Sequence, residues 1–212
     1  ATTFEYWSAL LNGGRLVLLP QNSLLDPDVL KESVGKHAVN AMWLTVGWFN
    51  QLAEVAPEVF ETLNYLIVGG DKLSAPHIKT VAAKYPNIKL MNGYGPTENT
   101  TFSVCHHIEA IDTTDIPLGK PIANSSAYVL DQQMNLVPFG VIGELWLGGD
   151  GVSRGYQNQP EQTRERFQEN PFVTGERIYR SGDLARWTPE GIIEFLGRAD
   201  RQVKIRGFRI EL

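Results

Sequence analysis

Ile88-Lys89-Leu90-Met91-Asn92-Gly93-Tyr94-Gly95-Pro96-Thr97-Glu98-Asn99 runs from a strand-like segment straight into a loop with two glycines, a proline, a hydroxyl and a carboxylate. Upstream, the same rhythm repeats. The apolar runs Leu16–Leu19, Val39–Thr45 and Tyr65–Val68 alternate with helix-like stretches, the pattern of a parallel sheet with helices on its faces. Asp26-Pro27 and Ser74-Ala75-Pro76 mark helix starts, each with a capping side chain just ahead of a first-turn proline. In such sheets ligands bind in the crevice beyond the carboxyl ends of the strands. That rule singles out two loops, Gly69-Gly70-Asp71 and Asn92–Asn99.

Downstream of about Ile116 the rhythm changes to short strands and glycine-bearing turns: Ala127–Leu130, Gly143–Leu147, Arg177–Arg180, Ala185–Trp187 and Ile192–Leu196. This half reads as antiparallel. A helix from about Pro160 to Phe167 interrupts it, and Thr188-Pro189-Glu190-Gly191 reads as a tight turn, with proline early and glycine at its end. The apolar alternation of Gln202–Arg209 reads as one more strand with a solvated basic face.

Composition narrows the function classes. A hydrophobic share of 42% supports a substantial core, and 19 basic against 24 acidic residues, spread without long runs, point to no nucleic-acid or anionic-membrane partner. No apolar run approaches the ~18 residues a membrane-spanning helix needs. With one cysteine, Cys105, there is no intrachain disulfide framework, and a cytoplasmic setting is expected. Cys105, His106 and His107 lack partners at a recognisable metal or nucleophile spacing and are read as structural.

Two segments carry candidate chemistry. In the first loop Tyr94 can stack on a planar base, Thr97 can bond a phosphate oxygen and Glu98 can hold a magnesium ion, although an ordinary Gly-Pro turn has much the same composition. In Tyr179-Arg180-Ser181-Gly182-Asp183, the carboxylate of Asp183 can accept from both hydroxyls of a ribose. Arg198 could add a donor there, or form a surface ion pair of little worth.

Five segments in order, "FEYWSALLNGGRLVLLP", "NGYGPTE", "GELWLGGDGVSRGY", "YRSGDLARW" and "GRADRQVKIRGFRIE", resemble the adenylation domains of nonribosomal peptide synthetases, relatives of acyl-CoA synthetases and firefly luciferase. The resemblance implies an α/β fold: a flavodoxin-like parallel-sheet layer (1–115), a small distorted antiparallel β-barrel (116–199), and the hinge and first strand of a C-terminal lid (200–212). It implies an enzyme that joins an amino acid to ATP as aminoacyl-AMP, with Mg2+, and passes it to the phosphopantetheine thiol of a peptidyl carrier domain beside a condensation domain. Asn92, Gly93 and Tyr94 would contact adenine, Thr97 the phosphates, Glu98 the magnesium and Asp183 the ribose, with Arg198 assisting. Phe195 stands where many relatives carry tyrosine, so apolar packing replaces a hydroxyl contact. Asp200 would be the hinge and Gly207 would line the thiol's approach.

By the same resemblance the amino-acid pocket is lined by Ala1, Phe4, Trp43, Ile67, Gly69, Gly93, Thr101 and Phe102. No member is charged, which suits a small or medium aliphatic side chain, and the set is similar to valine-type pockets. The family's phosphate loop and the aspartate that pairs with the substrate ammonium are expected before Ala1, and its catalytic lysine beyond Leu212, so the chain alone is expected to be inactive. An acyl- or aryl-acid ligase of the acyl-CoA synthetase type and a noncatalytic binding module of the same fold are the alternatives. Thr97, Glu98 and Asp183 speak against the second of these.

Overall fold

The computed structural model of the chain describes residues 2–109, 114–200, 203–205 and 208–210. The chain divides into two units, Ala1–Asn92 with His107–Ile116 and Lys204–Phe208, and Gly93–His106 with Pro117–Val203 and Arg209–Leu212.

The first unit is the α/β layer. Its elements are α1 (Thr2–Leu10), α2 (Gln21–Leu25), α3 (Pro27–Lys36), β1 (Ala41–Thr45), α4 (Val46–Val55), β2 (Tyr65–Gly69), α5 (Ala75–Lys84) and β3 (Lys89–Tyr94), which leaves the unit after Asn92. Strands β1 and β2 are parallel, with Trp43 beside Ile67 and Thr45 beside Gly69. Alternation along the strands sorts their residues into two faces. Leu66 and Val68 are fully buried, and Met42 and Leu44 pack beside them, against Phe49 and Leu52 of α4 and Ile78 and Val81 of α5. The odd-numbered neighbours Trp43, Ile67 and Gly69 therefore lie on the other face.

Capping explains two helix starts differently. Asp26 accepts from the amides of Asp28 at 3.0 Å and Val29 at 3.3 Å, ahead of Pro27. We expect Asp26→Ala to cost about 1 kcal/mol, measurable as a small drop in thermal midpoint. Ser74 does stand at the N-cap of α5, but its hydroxyl bonds the Nδ1 of His77 at 2.6 Å rather than a backbone amide, and His77 reaches Glu54 of α4 at 2.8 Å. The expected strand at Leu16–Leu19 is not formed. Residues 14–20 are neither helix nor strand, and Leu18 is 69% exposed, so this apolar run is only partly used by the core, through Leu19.

The second unit is a curled antiparallel sheet. The sheet is built of β6 (Ser125–Leu130), β7 (Gly143–Gly149), β8 (Phe167–Glu169), β9 (Arg177–Trp187) and β10 (Ile193–Arg198), with α6 (Pro160–Arg166) ahead of β8; the unit also carries β5 (Lys120–Pro121) and, up to His106, β4 (Val104–His107), whose first residues pair with β5 outside this sheet. The order is β10-β9-β7-β6, with β8 also on β9. Beyond them β11 (Val203–Ile205) and β12 (Phe208–Ile210) pair with each other. Strand β7 is buried on both faces: Leu145 and Leu147 join Val129, Ala185 and Ile193 in one cluster, while Trp146 joins Leu130 and Ile178 in another. The segments Arg177–Arg180 and Ala185–Trp187 are one strand, not two. Gly182 sits between them at φ +76°, and an irregularity that looks like a break in sequence is a kink within a continuous strand. The turn at Thr188–Gly191 forms as expected, with Gly191 donating to the Thr188 carbonyl at 3.0 Å.

Candidate functional site

Strand β3 ends at Tyr94, and the chain then folds back on itself through a short 3₁₀ turn at Thr97–Asn99. The amide of Ser103 donates to the Tyr94 carbonyl at 2.9 Å and closes the loop. The return is held in an unusual conformation, since Thr100 and Thr101 have φ of +44° and +68°, a region β-branched residues rarely enter. Local bonds offset that strain: the Thr100 hydroxyl donates to the Gly151 carbonyl at 2.7 Å, and the buried Asn99 amide donates to the Ser103 hydroxyl at 2.9 Å. Strain held this way is common at ligand-binding loops.

Asp183 brings the two sequence-distant motifs together. Its carboxylate is buried, and Tyr94, 89 residues earlier, donates its hydroxyl to Oδ2. Arg198 donates from Nη1 to Oδ1 at 2.8 Å. The Asp183 amide donates to the Ser181 hydroxyl at 3.0 Å, and that hydroxyl donates to the Leu145 carbonyl at 2.5 Å, so β7 braces the carboxylate from behind. Burial first, and then the Asp183 charge, push the Tyr94 phenol well above its ordinary pKa, which keeps it a donor.

Arg198 is no surface ion pair; its side chain is 14% exposed. It holds Asp200 with two bonds, Nε to Oδ1 at 2.6 Å and Nη2 to Oδ2 at 2.7 Å, and also donates from Nη2 to the Ser181 carbonyl at 3.2 Å. Burial works against its charge, but hydrogen bonding to Asp200 and the charges of Asp183 and Asp200 outweigh it, so its pKa is raised. Gly182 makes this packing possible. A Cβ there would lie 2.6 Å from Arg198 Nη2 and 2.7 Å from Asp200 Oδ2. Phe195 packs with Tyr94 against the cluster around Leu145 and Ala185.

Glu98 is buried at 7% exposure, while its neighbour Thr97 is exposed. The Tyr156 hydroxyl donates to Glu98 Oε1 at 2.6 Å, and Ser153 donates its amide to the Glu98 carbonyl at 2.8 Å. Neither Tyr156 nor Ser181 stood out as a functional residue in the sequence. Tyr156 closes the segment "GELWLGGDGVSRGY", but nothing in the spacing ties it to Glu98. Glu98 offers hard carboxylate oxygens suited to Mg2+. Among the described residues no group of three or more His, Cys, Asp or Glu could hold a metal by itself.

Of the expected pocket residues, Trp43, Ile67 and Gly69 share one face of the β1–β2 pair in the first unit, and Phe4 is half-buried on α1. Gly93, Thr101 and Phe102 belong to the second unit. Ala1 and Gly207 lie outside the described residues. At the carboxyl ends of β1 and β2, a cavity of about 290 Å³ is lined by Thr45, Val46, Gly47, Asn50, Gly70, Asp71 and Lys72, so the Gly69-Gly70-Asp71 loop borders a concavity. Cys105 is half-buried in β4, where burial pushes its thiol pKa up.

A family model described as AMP-binding enzyme matches residues 1–157. Tyrocidine synthase 3 of Brevibacillus parabrevis is 54% identical over 212 residues, which is 100% of this chain and 3% of that protein. Surfactin synthase subunit 2 of Bacillus subtilis (strain 168) is 54% identical over 213 residues, 100% of this chain and 6% of that protein. Among solved structures, PA1221, an NRPS protein containing adenylation and PCP domains, superposes with a TM-score of 0.92 at 40% identity, covering 99% of this chain and 43% of the other. The chain thus spans a few per cent of these curated relatives' length. No helix among the described residues is long and apolar enough to cross a membrane.

Proposed function

We propose, since the chain belongs to the AMP-binding enzyme family, that it is part of an amino-acid-activating domain of a nonribosomal peptide synthetase, working in the cytoplasm. The observation that supports this most directly is the meeting of Tyr94, Asp183 and Arg198 in one hydrogen-bonded cluster. Asp183 accepts from Tyr94 at Oδ2 and from Arg198 at Oδ1, and the two hydroxyls of a nucleotide ribose are the further donors assigned to this carboxylate. Asn92 and Gly93, at the end of β3, and the Tyr94 ring form the adenine side, and Thr97 bonds the phosphates. Four of the five Arg198 N–H groups are committed to Asp183, Asp200 and Ser181, so its task is to hold Asp183 and Asp200 in place.

In the first half-reaction a carboxylate oxygen of the amino acid attacks the α-phosphorus of ATP, the bond to the bridging oxygen breaks, and pyrophosphate leaves. In the second, a carrier-domain phosphopantetheine sulfur attacks the acyl carbon and AMP leaves. PA1221 combines adenylation and PCP domains, which supports a carrier domain as partner; a condensation domain would be the next. Glu98 is the residue that would hold a magnesium ion, which neutralises phosphate charge when bound. The protein's own contribution is positioning and fixed polar groups.

By the family resemblance, Ala1, Phe4, Trp43, Ile67, Gly69, Gly93, Thr101 and Phe102 line the amino-acid pocket. An uncharged lining selects an aliphatic side chain, with valine preferred. Such a pocket separates neighbours differing by one methylene by only about 1–3 kcal/mol. Amino-acid-dependent pyrophosphate exchange with the complete adenylation domain, each amino acid offered separately with MgATP, is expected to be strongest with valine and weaker with isoleucine and leucine. Exchange with an aromatic or charged amino acid discards the pocket, and exchange with an acyl or aryl acid alone discards the amino-acid class. The Arg198–Asp200 pair fits Asp200 as the hinge of a moving lid.

A further inference from the structure

We propose that Tyr156 is a positioning residue that sets the orientation of the Glu98 carboxylate for a divalent cation, an inference that rests on the reading of Glu98 as the cation's protein ligand. The hydroxyl donates to Glu98 Oε1 at 2.6 Å and so fixes rotation about the last side-chain bond of the glutamate. Which lone pairs face the phosphate region then depends on the tyrosine. Ligand carboxylates are usually oriented by such outer contacts, and losing one typically costs 10–100-fold in metal affinity.

Tyr156 is itself built in from several directions. Its amide donates to the Thr163 hydroxyl at 2.9 Å, and its ring meets Phe167 edge-on at 5.4 Å between centroids. The residues leading to it are clamped by Arg177, which donates to the carbonyls of Ser153 at 2.8 Å and Arg154 at 3.2 Å. Gly155 has φ +133°, and a Cβ there would lie 2.3 Å from Thr163 Cγ2. This loop is also fastened to the glutamate's own backbone, through the Ser153 amide at 2.8 Å. The side-chain bond and the backbone bond together lock residues 153–156 to Glu98.

The test compares Tyr156→Phe and Glu98→Gln with the parent sequence in the complete adenylation domain. Tyr156→Phe keeps the ring and removes the hydroxyl. We expect it to raise the half-saturating Mg2+ concentration for pyrophosphate exchange by about 10-fold or more, with KM for the amino acid at saturating Mg2+ changed less than about twofold. Direct Mn2+ binding in the presence of a non-hydrolysable ATP analogue, followed by electron paramagnetic resonance, should weaken by the same factor. A lowered thermal midpoint with an unchanged metal curve would make Tyr156 a packing residue and overturn the inference. If Glu98→Gln also leaves Mn2+ binding unchanged, the reading of Glu98 fails instead, whereas a shift in Glu98→Gln without one in Tyr156→Phe removes Tyr156 alone.

Discussion

Asp183→Ala in the complete adenylation domain is expected to weaken ATP binding at least about 100-fold. A ribose bound here would give two hydrogen bonds to a charged acceptor, each worth about 1.5–3 kcal/mol, and 1.4 kcal/mol is tenfold in affinity. Both bonds would go at once, because on this reading the two hydroxyls share one carboxylate. The same substitution removes the acceptor of Tyr94 and one of the two carboxylates that hold Arg198. Breaking a buried pair costs about 3–5 kcal/mol when the surviving charge is left alone, but Asp200 still holds Arg198 through two bonds, so the domain should fold with a smaller loss. Calorimetric titration with ATP, beside a thermal melt of the same sample, separates the two effects. A folded variant with unchanged ATP affinity would take Asp183 out of the site.

The residues of that cluster were legible in sequence as separate pieces. Tyr94 and Asp183 each stand in a segment with a chemical signature, but their contact could not be read from periodicity, since 89 residues lie between them. Arg198 was harder. At the end of a hairpin strand an arginine has the look of a solvated residue, and only the approach allowed by Gly182 shows that it is enclosed by two aspartates. Regular elements with strong punctuation were readable: Asp26-Pro27 starts a helix, and Thr188–Gly191 turns a hairpin. Elements without it were missed. Strand β5 has two residues and β8 three, too few for alternation to register, and they exist because a neighbouring strand supplies the pairing. Leu16–Leu19 erred the other way, because an apolar run is not a strand without a partner.

The loop from Gly93 to Ser103 is closed by contacts among its own residues as well as by bonds to Gly151 and Tyr156, and Gly95→Ala is expected to be among the most damaging single-methyl changes in the second unit. A Cβ on residue 95 would lie 2.4 Å from the Thr101 carbonyl oxygen and 2.8 Å from both Phe102 Cα and the Ser103 nitrogen. All three are backbone atoms, so no side-chain rotation relieves the contact, and the strand end and the return segment must separate. That separation breaks the Ser103–Tyr94 bond and releases the strained pair Thr100 and Thr101. Overpacking typically costs about 1–3 kcal/mol and occasionally more; with three backbone atoms of one fixed segment in the way, about 3 kcal/mol or more is expected. Gly140→Ala is the control. Gly140 has φ +81° with nothing within 4 Å of a Cβ, so it carries the conformational penalty of about 1–2 kcal/mol without a collision. Thermal unfolding of both variants should place Gly95→Ala clearly below Gly140→Ala, with ATP binding lost in the former and kept in the latter. Equal melting points would mean that the loop yields to a methyl group, and that its strained threonines are not held by the close approach at Gly95.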